Sequence, residues 1–393
     1  MLTNRQLFFD HLAQTTEFPL ATEIDRAQGV YMYGTDNKRY IDLISGIGVS
    51  NVGHRHPKVI EAIQKQLEKY LHLMVYGELV ESPQVLLVKA LSDTLPDELN
   101  NVYLVNSGSE AVEGALKLAK RFTGRTEIIS CFNAYHGSSH GALSVSGSEE
   151  FKQAYRPLLP DVKHIRFGSS EDLEQITSKT ACIIIETVQG EAGVRIADKK
   201  YFEELRKRCT ETGTLLISDE IQAGFGRTGK FWAFEHYDIV PDILVSAKGM
   251  GGGMPIGAFI SKKEIMHSLT NNPILGHIST FGGHPVSSAA SLATIDVIRN
   301  EDLLSSVEEK AVLLKKQLKH SKIKEIRNKG LMMAVEFDSF DELKPIIDRA
   351  LEKGILTDWF LFCDNSMRIA PPLIITEKQI REACEIVLEV IDG

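Results

Sequence analysis

Apolar residues along this chain recur in two rhythms. Short unbroken apolar runs stand at 102–105, 127–131, 181–185, 215–217, 243–245 and 258–260. Between several of them lie stretches with helical spacing, such as 110–122 and 200–211, the second stopped by Gly213. Continuous apolar strands alternating with helices predict a parallel sheet covered on both faces, and this alternation fills 84–265. Ahead of it, 30–34 and 39–43 flank Asp36-Asn37 as a predicted hairpin. Gly53-His-Arg-His-Pro57 then opens a helix predicted to run to about Leu73, with Val59, Ile60, Ile63, Leu67 and Leu71 on one face. Beyond about 290 the pattern turns mixed. Helices are predicted near 286–299, 302–319 and 341–353, strands within 323–337, an extended stretch at 355–361, and a closing helix after Thr376.

These elements predict an α/β protein with a mostly parallel sheet flanked by helices, plus a smaller α+β unit. The expected division is an N-terminal arm over 1–50 packed with the small domain, a large domain over 51–290, and a C-terminal small domain over 291–393. No internal repeat and no Pro/Ser-rich linker interrupts the chain.

Composition narrows the partners. The chain has 393 residues, 43% apolar and 25% charged, which is ordinary for a soluble globular protein. A net charge of −9 argues against nucleic acid or an anionic membrane as partner. Five cysteines, at 131, 182, 209, 363 and 384, form no C-x-x-C pair. That fits a reducing compartment and argues against a disulfide framework or a cysteine zinc site. The N-terminus carries Asp10 and no long apolar segment, and no run is long enough to span a bilayer, so a cytoplasmic location is expected.

Chemistry gathers at the ends of the apolar runs, where open α/β sheets bind their ligands. The run 243–245 leads to Lys248, and after it comes the glycine-rich turn Gly249-Met-Gly-Gly-Gly-Met-Pro-Ile-Gly257. An apolar surrounding disfavours the charged form of a lysine and makes its amine a nucleophile. Asp219 ends the run 215–217, placed to hold a protonated ring nitrogen or a metal. Asn106-Ser-Gly-Ser-Glu-Ala111 comes after another strand and opens a helix, where backbone N–H groups face an anion. Asn133-Ala-Tyr135-His136-Gly137 offers an aromatic plate for a planar ring. Each feature has a plainer reading, as a turn lysine, a turn or cap aspartate, an N-cap serine at Ser107 or Ser109, or a core aromatic. His54 and His56 read as structural or capping residues. His136 and His140 are four apart, but Gly137 and Gly141 argue against the helix that metal binding by this pair needs. Gly224-Phe-Gly-Arg-Thr-Gly229-Lys230 resembles a nucleotide loop, yet Phe231 stands where a Walker A loop needs Ser or Thr, and no helix is predicted after it. Together, an anion cradle, an aromatic plate, a carboxylate and a lysine are the parts that hold pyridoxal phosphate.

With these parts in place, the chain resembles a class-III, fold-type-I pyridoxal-phosphate aminotransferase of the acetylornithine, ornithine and 4-aminobutyrate group. The resemblance runs from about Gly29 to the C-terminus. It includes Gly53–Pro57, Asn106–Ala111, Glu186-Thr-Val-Gln-Gly-Glu191-Ala-Gly193, Asp219-Glu-Ile-Gln222, Gly224–Gly229, Lys248, Thr280-Phe-Gly-Gly283 and Arg368-Ile-Ala-Pro-Pro372. It implies transfer of a terminal amino group from an amino acid or amine to a 2-oxo acid, by a homodimer with shared active sites. Lys248 would form the Schiff base with the cofactor and carry the proton, and Asp219 would keep the ring nitrogen protonated. Cofactor contacts are implied for Ser107, Gly108, Ser109, Tyr135, His136, Glu186, Ile221 and Gln222, with Thr280 contributed by the partner subunit. Arg368 would grip a substrate carboxylate, and Glu191 would pair with it when an amino donor lacking that carboxylate enters. No metal is implied.

Departures bear on the substrate. Ser138 stands where ornithine-type relatives carry an arginine for a second carboxylate, and losing a bidentate guanidinium weakens the case for a dicarboxylate. Arg195 is an alternative source of that charge. The usual Gly-Gly-Asn-Pro reads Gly282-Gly-His284-Pro, and 74–82 departs from the acetylornithine pattern. An aminomutase or decarboxylase of the same fold, and a P-loop nucleotide binder, stand as alternatives.

Overall fold

The computed structural model describes residues 2–393. Its centre is a seven-stranded sheet in the order Asn101–Val105, Gly257–Ser261, Ile243–Ser246, Leu215–Asp219, Thr180–Glu186, Glu127–Cys131, Val162–Ile165. Every residue of Thr180–Glu186, Leu215–Asp219, Ile243–Ser246 and Gly257–Ser261 is buried, which is why these strands read as unbroken apolar runs. The protein is thus α/β with a mostly parallel sheet.

Two features of the sheet escape the apolar pattern. Gly257–Ser261 runs antiparallel to both neighbours. The segment 247–256 before it is too short for the crossover, on the order of a dozen residues, that a parallel return needs. The edge strand Val162–Ile165 is only partly buried, and its Lys163 and His164 hide it from a search for apolar runs.

The helix Gly108–Thr123 lies against this sheet. Ser107 caps its start by accepting from Glu110 N at 3.2 Å, and Gly124, in the left-handed conformation, ends it. A Cβ on Gly114 would come 2.3 Å from the Phe259 ring, so only glycine lets the helix approach so closely.

Two smaller sheets complete the frame. One joins Ile24–Gln28, Tyr31–Gly34 and Arg39–Asp42 to Ile355–Leu356, so the chain's beginning pairs with its last third. The other is antiparallel, in the order Glu325–Lys329, Met332–Glu336, Cys363–Ile369, Trp359–Phe360. The helices Pro285–Asn300, Val307–Gln317, Phe340–Glu352 and Glu377–Asp392 accompany them.

Some boundaries differ from expectation. The helix from Pro57 stops at Leu67 rather than near Leu73. Leu67 and Leu71 are 49% and 59% exposed, so no packing extends the helix through its last apolar positions. The helix expected from 302 begins at Val307, because Asp302 takes a positive φ of 49° that breaks helical geometry. His140–Val145 does form a helix despite Gly141, because Glu113 Oε1 accepts from Gly141 N at 2.8 Å and Ala142 N at 3.1 Å.

Candidate active site

Five of the apolar strands lead into one cavity of about 430 Å³. Lys248 enters it two residues beyond the strand Ile243–Ser246, in a turn where its own φ is +46°. The turn is pressed against Asn51: a Cβ on Gly249 would lie 2.6 Å from the Asn51 side chain. Burial pushes the Lys248 amine below its usual range, partly opposed by the Glu191 charge. A larger share of it is therefore neutral, and nucleophilic, than of a surface lysine.

Asp219 ends its strand inside the same cavity. Its Oδ1 accepts from Ile221 N at 3.0 Å, and its Oδ2 lies 2.7 Å from His136 Nδ1. The other ring nitrogen, His136 Nε2, is buried without a partner. Beside them, Glu186 Oε2 accepts from Tyr135 N at 3.2 Å and Oε1 from Gly190 N at 3.1 Å. Burial, reinforced by the Asp219 charge, drives the Glu186 carboxyl well up.

At another end, Ser107, Gly108 and Ser109 line the cavity at the start of the helix Gly108–Thr123. Gly108 leaves room for Ile221, whose Cδ1 would sit 2.9 Å from a Cβ there. Ser109 Oγ accepts from Ser138 N at 3.3 Å. Tyr135 lines the cavity too, with its hydroxyl 3.2 Å from Ser138 Oγ.

Glu191 closes one side. Its carboxylate takes the guanidinium fork of Arg368 at 2.8 Å and 2.9 Å, and also accepts from Leu361 N at 3.1 Å and Gln222 Nε2 at 3.3 Å. Burial alone would raise this carboxyl, but the adjoining guanidinium outweighs it and holds the value at about 2. Arg368 stands behind Glu191, on the strand Cys363–Ile369.

Other positions fall outside the cavity. Thr280 is exposed. Its neighbour Ser279 accepts from Asn106 Nδ2 at 3.0 Å. Arg195 lies on the two-residue strand Arg195–Ile196, 4.0 Å from Glu336, and does not line the cavity. The loop Gly224–Gly229 is closed to a nucleotide: Arg227 is buried in it and donates to Asn51 Oδ1 at 2.6 Å, to Leu331 O at 3.2 Å and to Pro371 O. The short 3-10 turn Ala233–Tyr237 comes next in the chain, rather than a long helix. His54 Nε2 lies 2.8 Å from Asp42, and His56 lies 3.4 Å from Glu301 without capping its helix. Among the described residues, no group of three or more His, Cys, Asp or Glu is arranged to hold a metal ion.

Several residues that matter here carry no sign of it in the sequence. Val49 lines the cavity with no chemical pattern around it, and Asp358, which bonds Arg368 Nε at 2.8 Å, lies in an extended stretch with no motif. The His136–Asp219 contact joins positions 83 apart in sequence.

The furnishing fits pyridoxal phosphate. A helix start with small residues suits its phosphate, a buried carboxylate its ring nitrogen, and a buried lysine its aldehyde. Ile221 and Tyr135 supply apolar surface for the ring.

A family model described as class-III aminotransferase matches residues 13–391. The chain is 38% identical over 378 residues to the acetylornithine aminotransferase of Methanopyrus kandleri, covering 95% of this chain and 94% of that one. It is 37% identical over 390 residues to ornithine aminotransferase 1 of Staphylococcus aureus, covering 95% of each. Among solved structures, the ornithine aminotransferase of Toxoplasma gondii, seen with partial occupancy of pyridoxal phosphate at its active site, superposes with a TM-score of 0.90 at 28% identity. That match covers 98% of this chain and 92% of the other.

Proposed function

The chain belongs to the class-III aminotransferases and is a pyridoxal-phosphate-dependent transaminase, and from that premise we propose that it moves the terminal amino group of an ornithine-, acetylornithine- or 4-aminobutyrate-like donor to a 2-oxo acid. The observation that carries this reading is the convergence of Lys248, Asp219, Tyr135 and Ser107–Ser109 on one cavity closed by the Glu191–Arg368 pair. Bound pyridoxal phosphate supplies an aldehyde that takes up the amino group and a ring that draws electrons from the carbon bearing it.

The chain's residues do the rest. Lys248 Nζ, part neutral through burial, attaches the cofactor and then accepts and returns the proton of the substrate carbon. Asp219, oriented by Ile221 N and His136 Nδ1, holds a proton on the ring nitrogen. Ser107, Gly108 and Ser109 present donors and the positive end of the helix to the phosphate. Tyr135 and Ile221, which line the cavity, would cover the two faces of the ring, and Gln222, Glu186 and His136 would border its polar edge. Arg368 grips a substrate carboxylate once Glu191 moves aside, and Glu191 neutralises the guanidinium when none is present.

We also infer a dimer. Val80 is 94% exposed and Ile274 74% exposed, with Leu79, Ile278 and Phe281 also open. Residues from 75–79 and 279–282 line one further cavity, so these segments adjoin. A second copy covering them would bring Thr280 to its neighbour's phosphate site. The five cysteines, all free thiols, suit the reducing cytoplasm.

The test is a half-reaction screen: ornithine, acetylornithine, 4-aminobutyrate and their α-amino counterparts are mixed singly with the yellow enzyme. Conversion of the bound cofactor to its amine form by ω-amino donors, with release of a semialdehyde, is expected. Net isomerisation or carbon dioxide release with no lasting change in the cofactor would replace this reading with a mutase or decarboxylase.

A further inference from the structure

Arg368 is held on two sides by groups of different kinds. Its Nη1–Nη2 fork faces Glu191, while Nε donates to Asp358 Oδ1 at 2.8 Å and Nη2 also donates to Trp359 O at 3.2 Å. The Phe360 ring centre lies 4.5 Å from the guanidinium carbon. Asp358 and Arg368 are also joined through the backbone, where Arg368 N donates to Asp358 O at 2.8 Å. The Arg368 carbonyl in turn accepts from Thr357 Oγ1 at 2.7 Å.

These contacts divide the guanidinium into a fixed edge and an exchangeable edge. All the fixed contacts come from 358–360, which precede Arg368 in the same antiparallel pairing of Trp359–Phe360 with Cys363–Ile369. The exchangeable edge meets Glu191, which reaches it from a separate loop and is the partner a substrate carboxylate replaces. When Glu191 leaves, a long arginine side chain retains a defined direction only if its Nε edge stays bonded. Trp359 O alone gives one longer contact and no charge. The Phe360 ring sets the plane but not the rotation within it.

We propose that Asp358 is a positioning residue for substrate binding: its carboxylate locks the Nε edge of Arg368, so that the Nη fork stays aimed at the site throughout the exchange of Glu191 for a substrate carboxylate. This rests on the reading of Arg368 as the carboxylate grip. It predicts an effect confined to substrates that carry a carboxylate on the carbon bearing the amino or oxo group. The amide oxygen of Asn can accept from Nε as Asp does, whereas Ala cannot.

The test uses the pyridoxal-phosphate-loaded full chain and two donors: L-glutamate, which carries a carboxylate on the carbon that bears its amino group, and butylamine, which carries none. Their apparent dissociation constants are taken from single-turnover changes in the cofactor absorbance. In Asp358→Ala, L-glutamate is expected to bind roughly tenfold more weakly while butylamine is unchanged, and Asp358→Asn should stay within about twofold of wild type. Equal weakening of both donors, no weakening of either, or an Asn variant as impaired as Ala would each overturn the proposal. Arg368→Gln separates the layers. If it weakens L-glutamate while Asp358→Ala does not, only the positioning role falls. If Arg368→Gln leaves L-glutamate untouched, the grip and the positioning role fall together.

Discussion

His136 Nδ1 lies 2.7 Å from Asp219 Oδ2, with both side chains buried. The imidazole occupies one carboxylate oxygen and Ile221 N the other, so Asp219 enters the cavity with its orientation set. Asp219→Asn would remove the charge proposed to keep a ring nitrogen protonated, and kcat should fall by roughly 10²–10³-fold or more with pyridoxal phosphate still bound. His136→Ala should cost less, about tenfold, by loosening Asp219. Near-normal turnover of Asp219→Asn, with cofactor content checked by absorbance, would show that the role is misassigned.

Lys248 is the lysine that lines the cavity. Lys248→Ala should abolish turnover, and borohydride treatment of the wild type should leave the cofactor covalently attached to Lys248. Peptide mapping reads the outcome. A label on Lys230 or Lys262 refutes the assignment.

Ser138 offers a hydroxyl to Tyr135 where a dicarboxylate would need a cation, and Arg195 lies outside the cavity. One charged bidentate contact is worth about 1.5–3 kcal/mol, or roughly ten- to a hundredfold in affinity. Ser138→Arg should therefore raise kcat/KM for 2-oxoglutarate relative to pyruvate by about that factor. A wild type that already prefers 2-oxoglutarate strongly, together with a silent variant, would show that the missing guanidinium does not matter.

Glu220 is buried beside Asp219, accepting from Ala233 N at 2.7 Å and Phe234 N at 2.8 Å. Burial outweighs these bonds and raises its carboxyl from 4.5 to about 8. Across that interval the native state keeps a proton that the unfolded chain gives up. The stabilising effect is therefore full below about 4.5, declines as pH rises, and is gone once pH has passed about 8. Urea unfolding should show wild-type stability falling between about pH 5 and 8 by an amount on the order of a few kcal/mol. Glu220→Gln should flatten that decline. An identical slope in both proteins refutes the prediction.

Placing charge on the exposed apolar segments tests the dimer. Val80→Asp combined with Ile274→Asp should shift sedimentation from dimer to monomer and loosen pyridoxal phosphate. Thr280→Ala should leave the dimer intact and weaken the cofactor roughly tenfold, as expected for losing one hydrogen bond to a phosphate. A charged double variant that sediments as the wild type does would remove the dimer surface from these segments.

How legible the site was depended on whether a residue carries its own signal. Lys248 and Asp219 stand at the ends of fully buried strands, and such strands show themselves as apolar runs. Ser107 sits before an amphipathic helix and is found by the same logic. Val162–Ile165 is half exposed and so has no such run, and the antiparallel turn of Gly257–Ser261 comes from loop length rather than hydropathy. Asp358 is visible only through its contact with Arg368, and an ion pair across a hairpin leaves no period in a sequence. The helix His140–Val145 depends on Glu113, far back along the chain, which local glycine propensity cannot reveal.

The pairing of Asn101–Val105 with Gly257–Ser261 sets an order on synthesis. The strand that leads into the helix Gly108–Thr123 finds its sheet neighbour only after about 150 further residues have been made, the sort of long-range closure that slows folding. As the chain grows from its N-terminus, a ribosome-bound fragment ending before 257 contains Lys248, yet its strand Ile243–Ser246 has no partner on that side. Arg368 emerges later still. The growing chain therefore completes the lining of the Lys248 cavity first and the ion pair at its side near the end, and Glu191 lacks its guanidinium partner until the last strand of the C-terminal sheet arrives.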